Sequence, residues 1–171
     1  MDKNIRLAGI TYESLVNGPG MRRVYFTQGC IHNCPGCQNP TTHSMNGGED
    51  RNMDALIDDL RDNPMLRGVT FSGGDPFEQA DKCTYMAEKI RNLHLNIWCY
   101  TGYTYEEILE NKDNKKGWKE FLNNIDVLVD GVFIKEQMQE GLKFRGSANQ
   151  RIIDVQKSLS EGKVVEMDYW H

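Results

Sequence analysis

VTFSGGDPFEQADKCTYMAEKIRNLHLNIWC, residues 69–99, contains one complete unit of a recognisable folding rhythm. Val69 to Ser72 is a short β-type run, and Gly73 and Gly74 interrupt it. Ala80, Cys83, Ala87 and Ile90 then recur at close to helical spacing, and Leu95 to Cys99 is β-type again. Strand, glycine-bearing loop, helix and strand in that order predict parallel strands joined by a right-handed helical crossover.

The same rhythm extends on both sides. Arg23 to Thr27 (RVYFT) and Asp126 to Val129 (DVLV) read as further strands. Met53, Leu56, Ile57 and Leu60 have the i, i+3, i+4, i+7 spacing of a buried helical stripe. Thr104 with Glu107 three residues on is a capping box that opens a helix through Ile108 and Leu109. Asn111 to Gly117 reads as a turn between helices. The expected class is α/β. A closed eight-stranded barrel typically takes about 250 residues, so this chain would supply part of one, an open and curved sheet. With no internal repeat, low-complexity tract or linker, residues 1–171 are expected to form one domain.

Composition narrows the function classes. A formal net charge of -5 provides no electrostatic footprint for a nucleic acid. The opening MDKNIRLAGITYESL lacks the pattern of a secretory signal, and no run of about 18 apolar residues occurs. A cytoplasmic protein that does not span a membrane is therefore expected. Five cysteines, three of them within eight positions, suit a reducing compartment and a metal better than a disulfide framework.

Those three are in GCIHNCPGCQNP, residues 29–40, where Cys30, Cys34 and Cys37 form a CxxxCxxC array directly after a strand. Four thiolates close an iron–sulfur cubane. Three leave one iron able to take an external ligand, which turns an electron carrier into a site that can activate something. The alternative is a structural zinc site completed by His32 or His43, although no second CxxC knuckle exists. Otherwise both histidines read as solvent-facing loop residues. Cys83 and Cys99 fall on apolar patterns and read as core thiols. Trp98, Trp118 and Trp170 read as packing residues.

This array, followed by Gly73, Gly74, Asp75 and Pro76 after the next strand, resembles the radical S-adenosylmethionine superfamily. Asn17, Gly18, Pro19 and Gly20 with Arg22 resemble the signature of glycyl-radical-enzyme activases. CPGC, SGGDP, YTGY (100–103), VDG (129–131) and FRGSANQ (144–150) together are similar to the branch that activates anaerobic ribonucleoside-triphosphate reductase. The likeness runs from about Ile10 to Asp154 and leaves the C-terminal segment GKVVEMDYWH outside it, as an edge strand or a tail. One departure from the wider superfamily is Gly36, where an aromatic residue commonly precedes the last cysteine. Adenine recognition must then rely on backbone and neighbouring groups.

The resemblance implies a partial, open TIM-like β/α barrel of the radical S-adenosylmethionine type. It implies that Cys30, Cys34 and Cys37 hold a [4Fe–4S] cluster whose open iron is chelated by S-adenosylmethionine. Reductive cleavage would then give a 5'-deoxyadenosyl radical that abstracts hydrogen from a glycine on the large catalytic chain of anaerobic ribonucleotide reductase. A flavodoxin-like electron donor is implied, because no internal relay cluster is visible. Gly73 and Gly74 would let the backbone approach the methionine ammonium, against the alternative of a plain strand-ending turn. Gly36, Cys37 and Gln38 would touch the nucleoside through backbone atoms, with Asn39 as a side-chain hydrogen bonder. Asp130 would help hold the methionine end, or else cap a helix; Thr101 is a lesser candidate. Asn17 to Arg22 would shape a partner-facing rim or form a plain turn. Arg145 and Asn149 would be surface polar residues, or contacts to partner or nucleotide. The competing identities are an activase of pyruvate formate-lyase type and a non-catalytic zinc or electron-transfer module.

Overall fold

Residues alternate between two faces along each strand, and here the two faces have different fates. The computed structural model describes residues 2–32, 44 and 47–169. Its strands are β1 (Asn4–Ser14), β2 (Arg22–Thr27), β3 (Glu49–Asn52), β4 (Gly68–Gly73), β5 (Asn96–Tyr100), β6 (Val127–Asp130) and β7 (Arg151–Asp154). They form one open sheet in the order β3-β1-β2-β4-β5-β6-β7. The α/β class and the four central strands match the sequence reading.

The helices are α1 (Met53–Leu60), α2 (Ala80–Asn92), α3 (Tyr105–Asn111), α4 (Trp118–Asn123) and α5 (Val155–Glu161). Tyr25, Val69, Phe71, Ile97, Cys99, Leu128 and Ile153 belong to the same buried cluster as the apolar residues of these helices. Trp98, Val127, Val129 and Ile152, one position out of phase, form a second cluster with Tyr100, Phe144, Met167 and Tyr169 and no helix residue. All five helices therefore cover one face, and loops and the C-terminal segment cover the other. This is what sequential parallel order produces, because crossovers of one hand that always step the same way deposit their helices on one side.

Only β2, β4, β5 and β6 are mutually parallel; β1, β3 and β7 pair antiparallel. The reason is the connection. Residues 15–21 between β1 and β2 are too few for a crossover of a dozen residues or more, so the chain turns straight back. The exposed edge β3, sequence EDRN, is charged and suited to refusing further pairing. The β7 edge is partly covered by the chain itself: Ile153 bridges to Glu166, and the Met167 amide donates to the Ile152 carbonyl at 2.7 Å.

Local signals account for the helix starts. The Asn52 side chain accepts from the Ala55 amide, and the Thr104–Glu107 capping box is present in full. In α1, Met53, Leu56, Ile57 and Leu60 are all buried, each contributing about 1.5–3 kcal/mol of transfer free energy.

Candidate metal and cofactor site

Where β2, β4 and β5 end, their C-terminal loops border a cavity of about 440 Å³, within the range of about 300–1,000 Å³ usual for small-molecule sites. Cys30, His32, Ser72, Gly73, Gly74, Thr101 and Gly102 line it from the strand ends. Leu15, Val16 and Asn17 contribute from the β1–β2 turn. Phe133, Leu142, Lys143, Phe144, Arg145 and Gln150 contribute from the segment between β6 and β7. Ligands of parallel sheets bind at these strand ends.

Asp75 organises the strand ends. It is fully buried, and its carboxylate accepts from the Phe77 amide at 3.0 Å and the Gly102 amide at 2.9 Å. The Thr101 hydroxyl donates to it, 2.9 Å from both oxygens, and His32 Nε2 lies 2.7 Å away. Its own amide donates to the Gly29 carbonyl at 2.8 Å. Pro76 after it starts a 3-10 turn that the Asp75 side chain caps. His32 is thus held and only partly exposed, a correction to the solvent-facing reading. Burial pushes its imidazole pKa down, but the Asp75 hydrogen bond and charge, with Glu78 and Glu107 beyond, outweigh this and raise it.

Gly73 pairs with Thr27 at the end of the β4–β2 ladder. Its φ is +101°, and a Cβ there would lie 2.4 Å from the Thr27 nitrogen. The glycine is required by that approach and by its positive φ, and it also borders the cavity. Next to it, the Gly74 amide donates to the Thr27 carbonyl at 2.8 Å.

The Asn17–Gly20 turn is wired to the helix-free face by Arg22, whose side chain is fully buried. Arg22 donates to Thr70 Oγ1 at 2.8 Å, the Pro19 carbonyl at 3.0 Å and the Val69 carbonyl at 3.0 Å. Thr70 in turn donates to the Asn17 carbonyl at 2.6 Å. Burial lowers the guanidinium pKa to about 10, against opposing contributions from Tyr100, Asp126 and Tyr169; it remains charged at neutral pH. The turn is therefore a braced wall of the cavity.

Asp130 does not line the cavity. By register it shares the helix-side face with Leu128, and its oxygens accept from Arg151 at 3.1 and 2.6 Å and from the Tyr105 amide at 2.8 Å. That geometry serves the helix-start alternative. In contrast, Arg145 and Gln150 of FRGSANQ do line it, and the loop holds its own shape: Gln150 Oε1 accepts from the Gly146 and Ser147 amides, and its Nε2 donates to the Gly131 carbonyl. Asn149 Nδ2 donates to the Val132 carbonyl.

Cys34, Gly36, Cys37, Gln38, Asn39, His43 and Trp170 lie outside the described residues. The residues leading back from the cysteine segment are clamped. Arg6 donates to the Gly47 and Gly48 carbonyls at 2.6 and 3.2 Å, and Gln28 donates to the Ser44 carbonyl at 2.7 Å. Cys83 and Cys99 are fully buried, and burial pushes both thiols well up, so they stay protonated and apolar.

Of the three cysteines of the array, the described residues include Cys30 alone. Cys30 faces the cavity, the cationic side chains there are Lys143 and Arg145, and no carboxylate lines it among the described residues. Cationic lining of this kind compensates anionic thiolates. Sequence reasoning missed Asp75 as a hub and His32 as its partner. The signal was present in DP after two glycines, but the partners lie 26, 27 and 43 positions away.

Residues 16–153 match the family model described as 4Fe-4S single cluster domain. The chain is 40% identical over 146 residues to the anaerobic ribonucleoside-triphosphate reductase-activating protein of Vibrio cholerae, covering 81% of this chain and 90% of that protein. It is 35% identical over 144 residues to the protein of that name in Escherichia coli K12, covering 80% and 90%. It is 33% identical over 148 residues to the one in Enterobacteria phage T4, covering 80% and 86%. No helix among the described residues is long and apolar enough to cross a membrane.

Proposed function

Since the chain belongs to the family of anaerobic ribonucleoside-triphosphate reductase-activating proteins and carries its 4Fe-4S domain, we propose that it is a radical S-adenosylmethionine activase acting on the large catalytic chain of that reductase. The observation that carries this reading is the position of Cys30, at the C-terminal end of β2 and on a cavity that Gly73 and Gly74 also border. Cys30, with Cys34 and Cys37 beyond it in sequence, would hold a [4Fe–4S] cluster. Bound together, cluster and S-adenosylmethionine would supply one-electron cleavage of the sulfonium and a 5'-deoxyadenosyl radical that takes hydrogen from a glycine Cα of the partner.

The chain's own residues do the rest. Gly73 and Gly74 offer backbone polar groups without a side chain in the way, at the point where the methionine ammonium would sit. Gly36, Cys37, Gln38 and Asn39 are assigned to the nucleoside. Leu15, Val16, Phe133, Leu142 and Phe144 give the lining an apolar part, which would limit water near a reactive species once a partner covers the exposed Leu15 and Val16. Helices on one face and an open sheet edge accord with a partial TIM-like barrel, a single domain whose open side admits a macromolecule. Cys83 and Cys99 are packed in the core, so electrons would come from an external donor of flavodoxin type, in the cytoplasm.

Electron paramagnetic resonance of anaerobically reconstituted, reduced protein tests this. A [4Fe–4S]+ signal that changes shape on adding S-adenosylmethionine, followed by a glycyl radical signal on adding the reductase large chain, is expected. Zinc without inorganic sulfide, or a cluster signal indifferent to S-adenosylmethionine, would overturn it.

A further inference from the structure

We propose that His32 is a positioning residue for the cluster, its imidazole docked in a receptacle made by Asp75, Gly102 and Tyr103. This rests on the preceding reading that Cys30 and Cys34 are ligands. In sequence His32 is two residues past the first and two before the second.

Three contacts of different kinds converge on one ring. Nε2 lies 2.7 Å from Asp75 Oδ2. The ring meets the Tyr103 ring edge-on, centroids 4.5 Å apart at 74°. Its third side lies over Gly102, where a Cβ would be 2.5 to 2.7 Å from three ring atoms. Only a residue without a side chain fits beneath it.

Each wall is itself fixed. Asp75 is held by Thr101 and by the Phe77 and Gly102 amides. The Tyr103 hydroxyl donates to Glu78, and its amide donates to Thr101 Oγ1 at 3.2 Å. A ring seated on walls that cannot yield is restrained in position and in tilt. The direction in which the chain leaves Cys30 is therefore referenced to the ends of β4 and β5, which also border the cavity. Groups that orient metal ligands from behind typically change metal affinity by about 10–100-fold when removed.

The test uses the full-length chain, reconstituted anaerobically, and measures the rate at which iron is lost to a chelator, alongside the thermal midpoint of the cluster-free protein. His32→Ala removes the ring. Gly102→Ala leaves ring and carboxylate intact but fills the seat, and the Gly102 backbone is not in the left-handed region, so alanine adds no backbone strain there. Both should lose iron about tenfold faster than wild type, more than any fall in their cluster-free midpoints accounts for. His32→Asn, which keeps a donor for Asp75, should recover part of the difference. Wild-type loading with release rates in His32→Ala and Gly102→Ala within twofold of wild type would overturn the proposal alone, as would faster release that merely tracks a fall in the cluster-free midpoint. Failure of the wild type to take up iron and sulfide would overturn the cluster reading, and this proposal with it.

Discussion

The Tyr100 hydroxyl donates to the Phe144 carbonyl at 2.6 Å, fastening the end of β5 to a residue 44 positions later. Burial raises the phenol's pKa, so it remains a protonated donor. Phe144 has φ of +67°, and its ring packs against Trp98 and Tyr169, so the cavity's outer lining is tied down at a strained residue. Tyr100→Phe should lower stability by about 1–2 kcal/mol, because the carbonyl loses its partner. The urea midpoint gives the loss, and limited proteolysis should show earlier cleavage within 142–146.

Gly73 and Gly162 both have positive φ, yet their surroundings differ. A Cβ at Gly73 meets β2 backbone at 2.4 Å, whereas at Gly162 nothing lies within 4 Å. Gly162→Ala should cost about 1–2 kcal/mol, the left-handed penalty alone. Gly73→Ala should cost more than about 3 kcal/mol, since strain and overpacking add. Equal thermal shifts in the two variants would contradict this account.

Thr104 and Glu107 close the capping box at the start of α3, with the Thr104 hydroxyl accepting from the Glu107 amide at 3.1 Å. Thr104→Ala is expected to destabilise by about 1 kcal/mol, and Thr104→Ser by much less. Chemical denaturation of the three proteins side by side measures both.

Arg151 links Glu106 on α3 to buried Asp130, at 2.5 and 2.6 Å. Its hydrogen bond is the largest influence on Glu106, whose carboxyl is held below its ordinary value of 4.5 despite some burial. A depressed folded-state pKa means the pair's contribution is complete above the unfolded value and disappears as pH falls through the folded one. Glu106 is more than half exposed, so the contribution is small, under about 1 kcal/mol. The urea midpoints of the cluster-free wild type and Glu106→Gln should differ near pH 6 and converge near pH 3. Asp130→Ala should cost about 3–5 kcal/mol at neutral pH, since it leaves Arg151 and the Tyr105 amide short of a buried partner.

What the sequence disclosed followed from local chemistry. RVYFT, VTFS, LNIWC and DVLV announced themselves by β-type composition, and α1 to α3 by periodicity and capping. β3 could not, because EDRN has no apolar residue and exists only through pairing with β1. β7 offers four residues, RIID, whose role depends on β6. β1 carries two register shifts, which blur its alternation. The candidate site divides in the same way. The cysteine spacing and GGDP are contiguous and were read directly. His32 with Asp75, and Arg22 with Thr70, are pairings across 43 and 48 positions, and no local pattern carries them. Asp130, read either as a methionine-end contact or as a helix-start residue, has the same limit: which face a strand-end side chain takes depends on register, and register is set by neighbouring strands.

The two-sided sheet implies a period of two in any mutational scan along β4. Val69 and Phe71 face the helices, where truncation removes core. Thr70 bonds Arg22 and the Asn17 turn, and Ser72 borders the cavity. Plotted residue by residue, loss of folding and loss of activity should form two sawtooth traces half a tooth out of step. The strand can thus change its chemistry at every other position while its neighbours keep the molecule standing.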